Sequence, residues 1–260
     1  MSQPWPSDLE SALTDFHRRP SQAANRMAPI QNVVRTELEA RFSALGQSID
    51  VRLEKPVRGK HRSKNWDVVL YFGHRPQLAV STKSIMANVA GTVPNRIDDA
   101  MGECVNVHAQ DPGMVLGYLF VMNAALSNRN TREGRSWTDI FAESLASFSG
   151  RRSERDAPEL FEAATLLPVD FAADPPRISF HPGLLDWNGF FDILVGQVRT
   201  RNPLIDHSLR RGRGLYPSGG IRAWTGNIGP QGQCSQSMPE YPRKDTTREE
   251  WIVPPPRRAR

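Results

Sequence analysis

Cysteine is nearly absent: the 260 residues contain two, Cys104 and Cys234. They lie far apart and neither belongs to a metal-ligand spacing, which argues against both a disulfide framework and a structural zinc site. The six histidines are scattered and form no motif. No run is long and apolar enough to span a membrane. The first residues, with Pro4, Trp5, Asp8 and Glu10, lack the apolar core of a secretory signal, so a reducing cytoplasm is the expected setting. Internal repeats, a Gly-rich nucleotide loop and a Ser-His-Asp order are also missing. What remains is a chain long enough for one domain with a sizeable core and some appendages. Its formal net charge of +5 favours a polyanionic partner.

The most informative residues form two short β-branched and aromatic runs, Trp66 to Phe72 and Leu78 to Lys83. Gly73-His74-Arg75-Pro76-Gln77 joins them as a hairpin. Asp67 interrupts the apolar set Trp66, Val68, Leu70 and Phe72 on the first strand. Ser81 and Lys83 share a face of the second, because strand side chains repeat every second residue. An acid, a hydroxyl and an amine therefore converge, and a carboxylate for a divalent cation beside an ammonium is the minimum equipment for metal-dependent phosphodiester cleavage. Immediately before this strand, Lys55, Arg58, Lys60, His61, Arg62 and Lys64 make a basic loop. Such a run either meets backbone phosphates or is a solvated connection.

Around the hairpin the spacing predicts a helix over Pro29 to Gly46, with Ile30, Val33, Val34, Leu38, Phe42 and Leu45 on one stripe. Ile49 to Leu53 alternates as a strand. Pro94 stands at a first helical position, opening a helix to about His108 with Ile97, Ala100, Met101, Cys104 and Val105 inward. Val115 to Met122 is continuously apolar, as in a strand buried on both faces. The order is helix, strand, strand, strand, helix, strand, an α/β fold.

This order, with Asp67 and Ser81-Thr82-Lys83 where they stand, resembles the core of the PD-(D/E)xK nuclease superfamily. From Trp66 through Ala125 the chain is most similar to the XhoI-type type II restriction endonucleases. Trp66-Asp67 precedes apolar residues, Asn95-Arg96-Ile97-Asp98-Asp99-Ala100-Met101-Gly102 opens the following helix, and Gly117-Tyr118-Leu119-Phe120-Val121 forms the next strand. The resemblance implies a restriction-endonuclease-like fold and magnesium-dependent cleavage of double-stranded DNA, in a bacterial restriction-modification setting. It also implies a homodimer, since one active site per strand mirrors the duplex symmetry. Asp67 and a second carboxylate would hold the magnesium, with Lys83 orienting the attacking water or neutralising transition-state charge. Arg58, Lys60, Arg62, Lys64, Asn95 and Arg96 would contact the DNA.

One position departs from the family pattern. Ser81 stands where those enzymes carry Glu or Asp, and a hydroxyl is a poorer ligand for a hard cation. Some enzymes of the superfamily take the missing carboxylate from the following helix, where Asp98, Asp99 and Glu103 are the candidates. With Ile97, Met101 and Cys104 as the stripe centre, Asp98 falls at its margin while Asp99 and Glu103 point away, which ranks Asp98 first. Acids in a first turn also suit the helix dipole. Glu37, within the stripe of the first helix, is either a second ligand or the i, i+4 partner of Arg41. The alternative to an enzyme is a catalytically inactive nuclease-fold protein that binds DNA or a partner, with Ser81 marking decay of the site.

The remaining segments divide coarsely. Residues 1–28 form a lead with a short helix carrying Leu9, Leu13 and Phe16, and residues 29–206 form the α/β domain. Within it, helical spacing appears at Trp137 to Phe148, at Leu160, Phe161, Ala164 and Leu167, and at Phe190 to Val198. Ile178 to Phe180 reads as extended. Residues 207–260, rich in Gly, Pro and Arg, form an irregular tail, either a basic arm along DNA or a solvated extension.

Overall fold

The computed structural model describes residues 5–46, 49–127 and 134–202, all within the unit Met1–Leu215. The tail expected at 207–260 and Cys234 lie outside the described residues. The elements in chain order are α1 (Asp8–Arg18), α2 (Ala28–Ala44), β1 (Asp50–Arg58), β2 (Ser63–Phe72), β3 (Arg75–Ile85), α3 (Val89–His108), β4 (Val115–Asn123), α4 (Ala124–Ser127), α5 (Trp137–Phe148), β5 (Ala163–Asp170), β6 (Arg177–Ile178) and α6 (Trp187–Arg201). The expected order of helix, three strands, helix and strand is that of α2 through β4.

The strands form one mixed sheet in the order β1-β2-β3-β4-β5-β6. β1, β2 and β3 make an antiparallel meander, β3, β4 and β5 run parallel, and β6 is antiparallel at the edge. A parallel pair needs a crossover; α3 supplies it between β3 and β4, and α4 with α5 supplies it between β4 and β5. Helices cover both faces. On one side Leu9, Leu13 and Phe16 of α1, the apolar stripe of α2 and Phe190, Phe191 and Leu194 of α6 pack on Val68, Leu78, Val80 and Leu119. On the other, Ala100, Cys104 and Val107 of α3 and Phe141 and Leu145 of α5 pack on Ala79, Leu116, Tyr118 and Phe120. The helix at residues 8–18 is thus part of the main core rather than an appendage. Gly117 lets α6 close on β4: a Cβ there would sit 2.9 Å from Leu194 Cδ1.

Several local expectations change. β1 runs on past Leu53 to Arg58, β2 begins at Ser63 and β3 at Arg75, so Lys55, Arg58 and Lys64 of the expected basic loop and Arg75 to Gln77 of the expected connection lie in strands. The Leu160 to Leu167 stretch runs into strand β5 from Ala163, because a short continuous apolar run has helical and strand spacing alike and burial on both faces selects a strand. α3 starts five residues before Pro94, which lies inside it. Burying Val89 and Val93 gains about 1.5–3 kcal/mol each, enough to offset a proline cost of about 3 kcal/mol. The buried stripe of α3 is also rotated from the expected one: Ala100, Glu103, Cys104, Val107 and His108 face inward, while Val105 is exposed.

The alternation of β1 and β2 breaks at one level. Val51 and Val68 belong to the α2 face, yet Val57 and Trp66, of the same parity on each strand, pack on the α3 face. Leu53 pairs with Val68 and Lys55 with Trp66, so Glu54 stands opposite Asp67 at the break, with a left-handed φ of 51°. The ribbon is creased there. Beyond the crease it leaves β3, whose pairing to β2 stops at Val68 and Val80, and folds over the sheet so that Trp66 meets the Tyr118 ring at 5.7 Å.

Candidate active site

Where β2 parts from β3, the Thr82 N–H loses a strand partner and the Asp67 side chain takes it. Asp67 Oδ2 accepts the Thr82 N–H at 2.5 Å and the Ser81 hydroxyl at 3.2 Å. Its Oδ1 accepts from Gln31 Nε2 at 3.2 Å, and the same nitrogen donates to Glu54 Oε1 at 2.8 Å. One amide nitrogen therefore lies between two carboxylates. Burial raises the Asp67 carboxyl above the ordinary aspartate value, and the like charge of Glu54 adds to this. The bonds from Thr82 and Ser81 and the Lys83 charge oppose it.

Lys83 follows Ser81 on the α3 face of β3, and its Nζ donates to Glu103 Oε1 at 3.1 Å. Lys64, brought over by the folded ribbon, pairs with the same oxygen. Tyr118 donates to Glu103 Oε2 at 3.0 Å; burial raises this phenol far above its usual value, which keeps the donated proton in place. For Glu103, burial is the largest single influence and favours the neutral acid. The charges and hydrogen bonds of Lys83 and Lys64 together outweigh it and hold the carboxyl below the glutamate range. Lys64 is lowered by burial first and by the neighbouring Lys83 second, against the attraction of Glu103.

The sequence-derived candidates fall into two groups. Asp67, Ser81 and Lys83 are brought together. Asp98 is exposed, outside the rotated stripe, and Asp99 is exposed and pairs with Arg96 at 3.2 Å; Glu103, expected to point away, is the helix acid that reaches Lys83. Glu37 pairs with Arg41 at 2.6 Å, and Arg41 bonds Asn188 and Asp192 of α6, so this acid serves the α2–α6 seam. Among the DNA candidates, Arg58, Lys60, Arg62 and Asn95 are exposed, Arg96 is half-buried, and Lys64 is committed to Glu103.

Gln31 and Glu54 escaped sequence reasoning. Gln31 was detectable as the one polar member of the stripe Gln31, Val34, Leu38, whereas Glu54 carries no such signal because only the crease turns it toward Asp67. Among the described residues, no group of three or more His, Cys, Asp and Glu side chains is placed to hold a metal ion. Magnesium, however, is ordinarily held by one or two carboxylates, with water and phosphate oxygens completing its shell. The Asp67 and Glu54 carboxylates, already bridged by the amide nitrogen of Gln31, suit that mode. Comparisons with protein-family models, with curated proteins and with solved structures return no match. No helix among the described residues is long and apolar enough to cross a membrane.

Proposed function

We propose that the chain is a magnesium-dependent endonuclease acting on double-stranded DNA. In this reading it has a restriction-endonuclease-like core of the XhoI type and works as a homodimer in bacterial defence. The observation that carries the reading is the Asp67 carboxylate at the parting of β2 and β3, accepting the Thr82 N–H, with Lys83 next on the same strand. Asp67 and Glu54 would hold the magnesium, in place of the expected Asp98 or Glu37. When bound, the ion supplies Lewis acidity and neutralises phosphate charge. Ser81 orients Asp67 through its hydroxyl. Lys83 presents an ammonium to charge developing on the phosphate, and Glu103 holds that ammonium in position between turnovers.

The test is cleavage of duplex DNA with magnesium against an EDTA control. Wild type should cut, and both Asp67→Asn and Lys83→Ala should bind duplex without cutting it. Full cleavage by Asp67→Asn would remove the reading. A second reading, a DNA-binding protein without chemistry, draws support from the ion pair that engages Lys83 and from the lack, among the described residues, of a third carboxylate beside Asp67. It requires that the wild type bind duplex and fail to cut with either magnesium or manganese.

A further inference from the structure

The end of β1 and the turn to β2 concentrate like charge: Arg58, Lys60 and Arg62 are all exposed, as is His61 among them. The ion pairs on either side, Arg52 with Asp50 and Lys64 with Glu103, leave them out. A turn of this composition repels itself and would be expected to spread into solvent. Instead it is anchored to one residue of α3. Lys60 N–H donates to the Asn106 carbonyl at 2.8 Å, and His61 N–H donates to Asn106 Oδ1 at 2.9 Å, with a longer bond from Arg62 N–H at 3.4 Å. Asn106 Nδ2 returns a bond to the Arg62 carbonyl at 2.9 Å. The backbone approaches so closely that a Cβ on Gly59 would lie 2.0 Å from Asn106 Nδ2. Asn106 is three residues beyond Glu103, about 4.5 Å along the helix, so the anchored turn continues the cationic edge that starts at Lys83 and Lys64.

We infer that Asn106 is a positioning residue that fixes the Arg58–Arg62 turn as a preorganised edge for the backbone phosphates of duplex DNA, an inference that rests on the DNA reading above. The physical gain is entropic. Arginine and lysine side chains lose freedom when they engage phosphate, and a turn already held in place loses less of it on binding. The contacts carry no base information; they set register and affinity, and they are salt-dependent because each releases counterions. Asn106 touches no DNA in this scheme and acts only through the turn.

The experiment uses the full chain and a short fluorescent duplex in EDTA, so that nothing is cut, with affinity measured across a salt series. Asn106→Ala should weaken binding about tenfold and make the salt dependence shallower while the thermal transition is kept. Lys60→Ala with Arg62→Ala should do the same. In that doubly substituted background, adding Asn106→Ala should change affinity little further, because the lysine and arginine whose backbone it holds are gone. A full additional tenfold loss there would show a general structural defect and overturn the inference, even if Asn106→Ala lowers the melting temperature. Unchanged affinity in Asn106→Ala, with a clear loss in the lysine and arginine double variant, would overturn the positioning role and leave the DNA reading intact. A wild type without salt-sensitive duplex binding would overturn both.

Discussion

Two buried glutamates sit at neighbouring levels of strand β4 and are satisfied by different chemistry. Glu162, just before β5, receives guanidinium N–H bonds from Arg151 at 3.0 Å and Arg201 at 2.6 Å on one oxygen, and the Leu116 N–H at 2.6 Å on the other. His108 approaches at 3.8 Å, its imidazole held below the usual value by burial first and by Arg151, against the pull of Glu162. Glu103 is held by two lysines and a tyrosine. Arginine stays charged and presents a planar fork that fits a carboxylate, whereas a lysine ammonium is a compact charge on a flexible stem. The Glu162 cluster ties β4, β5, α6 and the residue 151 loop into one end of the sheet, with both guanidiniums buried. The Glu103 cluster keeps two ammoniums beside Asp67, one of them partly exposed. A buried acid alone does not mark a functional site; its partners and their access to solvent do.

The largest effect should come from breaking the arginine cluster. Glu162→Ala leaves Arg151 and Arg201 buried without their shared carboxylate and should destabilise the fold by about 4 kcal/mol, read by chemical denaturation. A loss near zero would mean that the two guanidiniums find water, and the contrast with Glu103 would collapse. Asp67→Asn should reduce magnesium-dependent cleavage more than about a hundredfold without lowering the melting temperature at neutral pH. The sign follows from its raised carboxyl: the ionised form is disfavoured by folding, so a neutral isostere removes a cost.

Glu103→Gln should destabilise by about 2 kcal/mol, less than its neighbour because Lys83 and Lys64 are partly solvated. Its folded carboxyl lies below the ordinary glutamate value. The stability it contributes is therefore complete above that ordinary value and is lost as pH falls through the folded one. The variant should lack this acid limb in a series of denaturation curves, and an unchanged limb would assign it to other carboxylates. The smallest effect belongs to Glu54→Gln in the absence of metal. Removing the like charge should move the Asp67 carboxyl toward its ordinary value without reaching it, since burial remains the larger cause. An NMR titration of Asp67 reads this, and no movement would separate Glu54 from the site.

The hairpin carrying Asp67, Ser81 and Lys83 was legible in the sequence because strand alternation and turn residues act locally. The stripes of α2 and α6 were legible for the same reason. The acid that meets Lys83 was not. Choosing Ile97, Met101 and Cys104 as the centre of α3 instead of Ala100, Cys104 and Val107 is a rotation of less than one helical step, yet it exchanges Asp98 for Glu103. The cues for that choice are contacts with Tyr118 and Trp66, far along the chain. The stretch before Leu167 failed differently, since apolar runs carry no period once both faces are buried.

The sequence by itself determined most of the local elements, the hairpin, the charge-dense connection before it and the three side chains on adjacent strands, because each depends on periodicity and on residues a few positions apart. Tertiary structure alone decided that β1 and β2 crease at Glu54 and Asp67, that Gln31 lies between those two carboxylates, and that Glu103 gathers Lys83 and Lys64. A crease puts two ends of one ribbon on opposite faces of a sheet, and where it falls is fixed by which faces the helices cover, a balance of burial over the whole molecule that no short window contains.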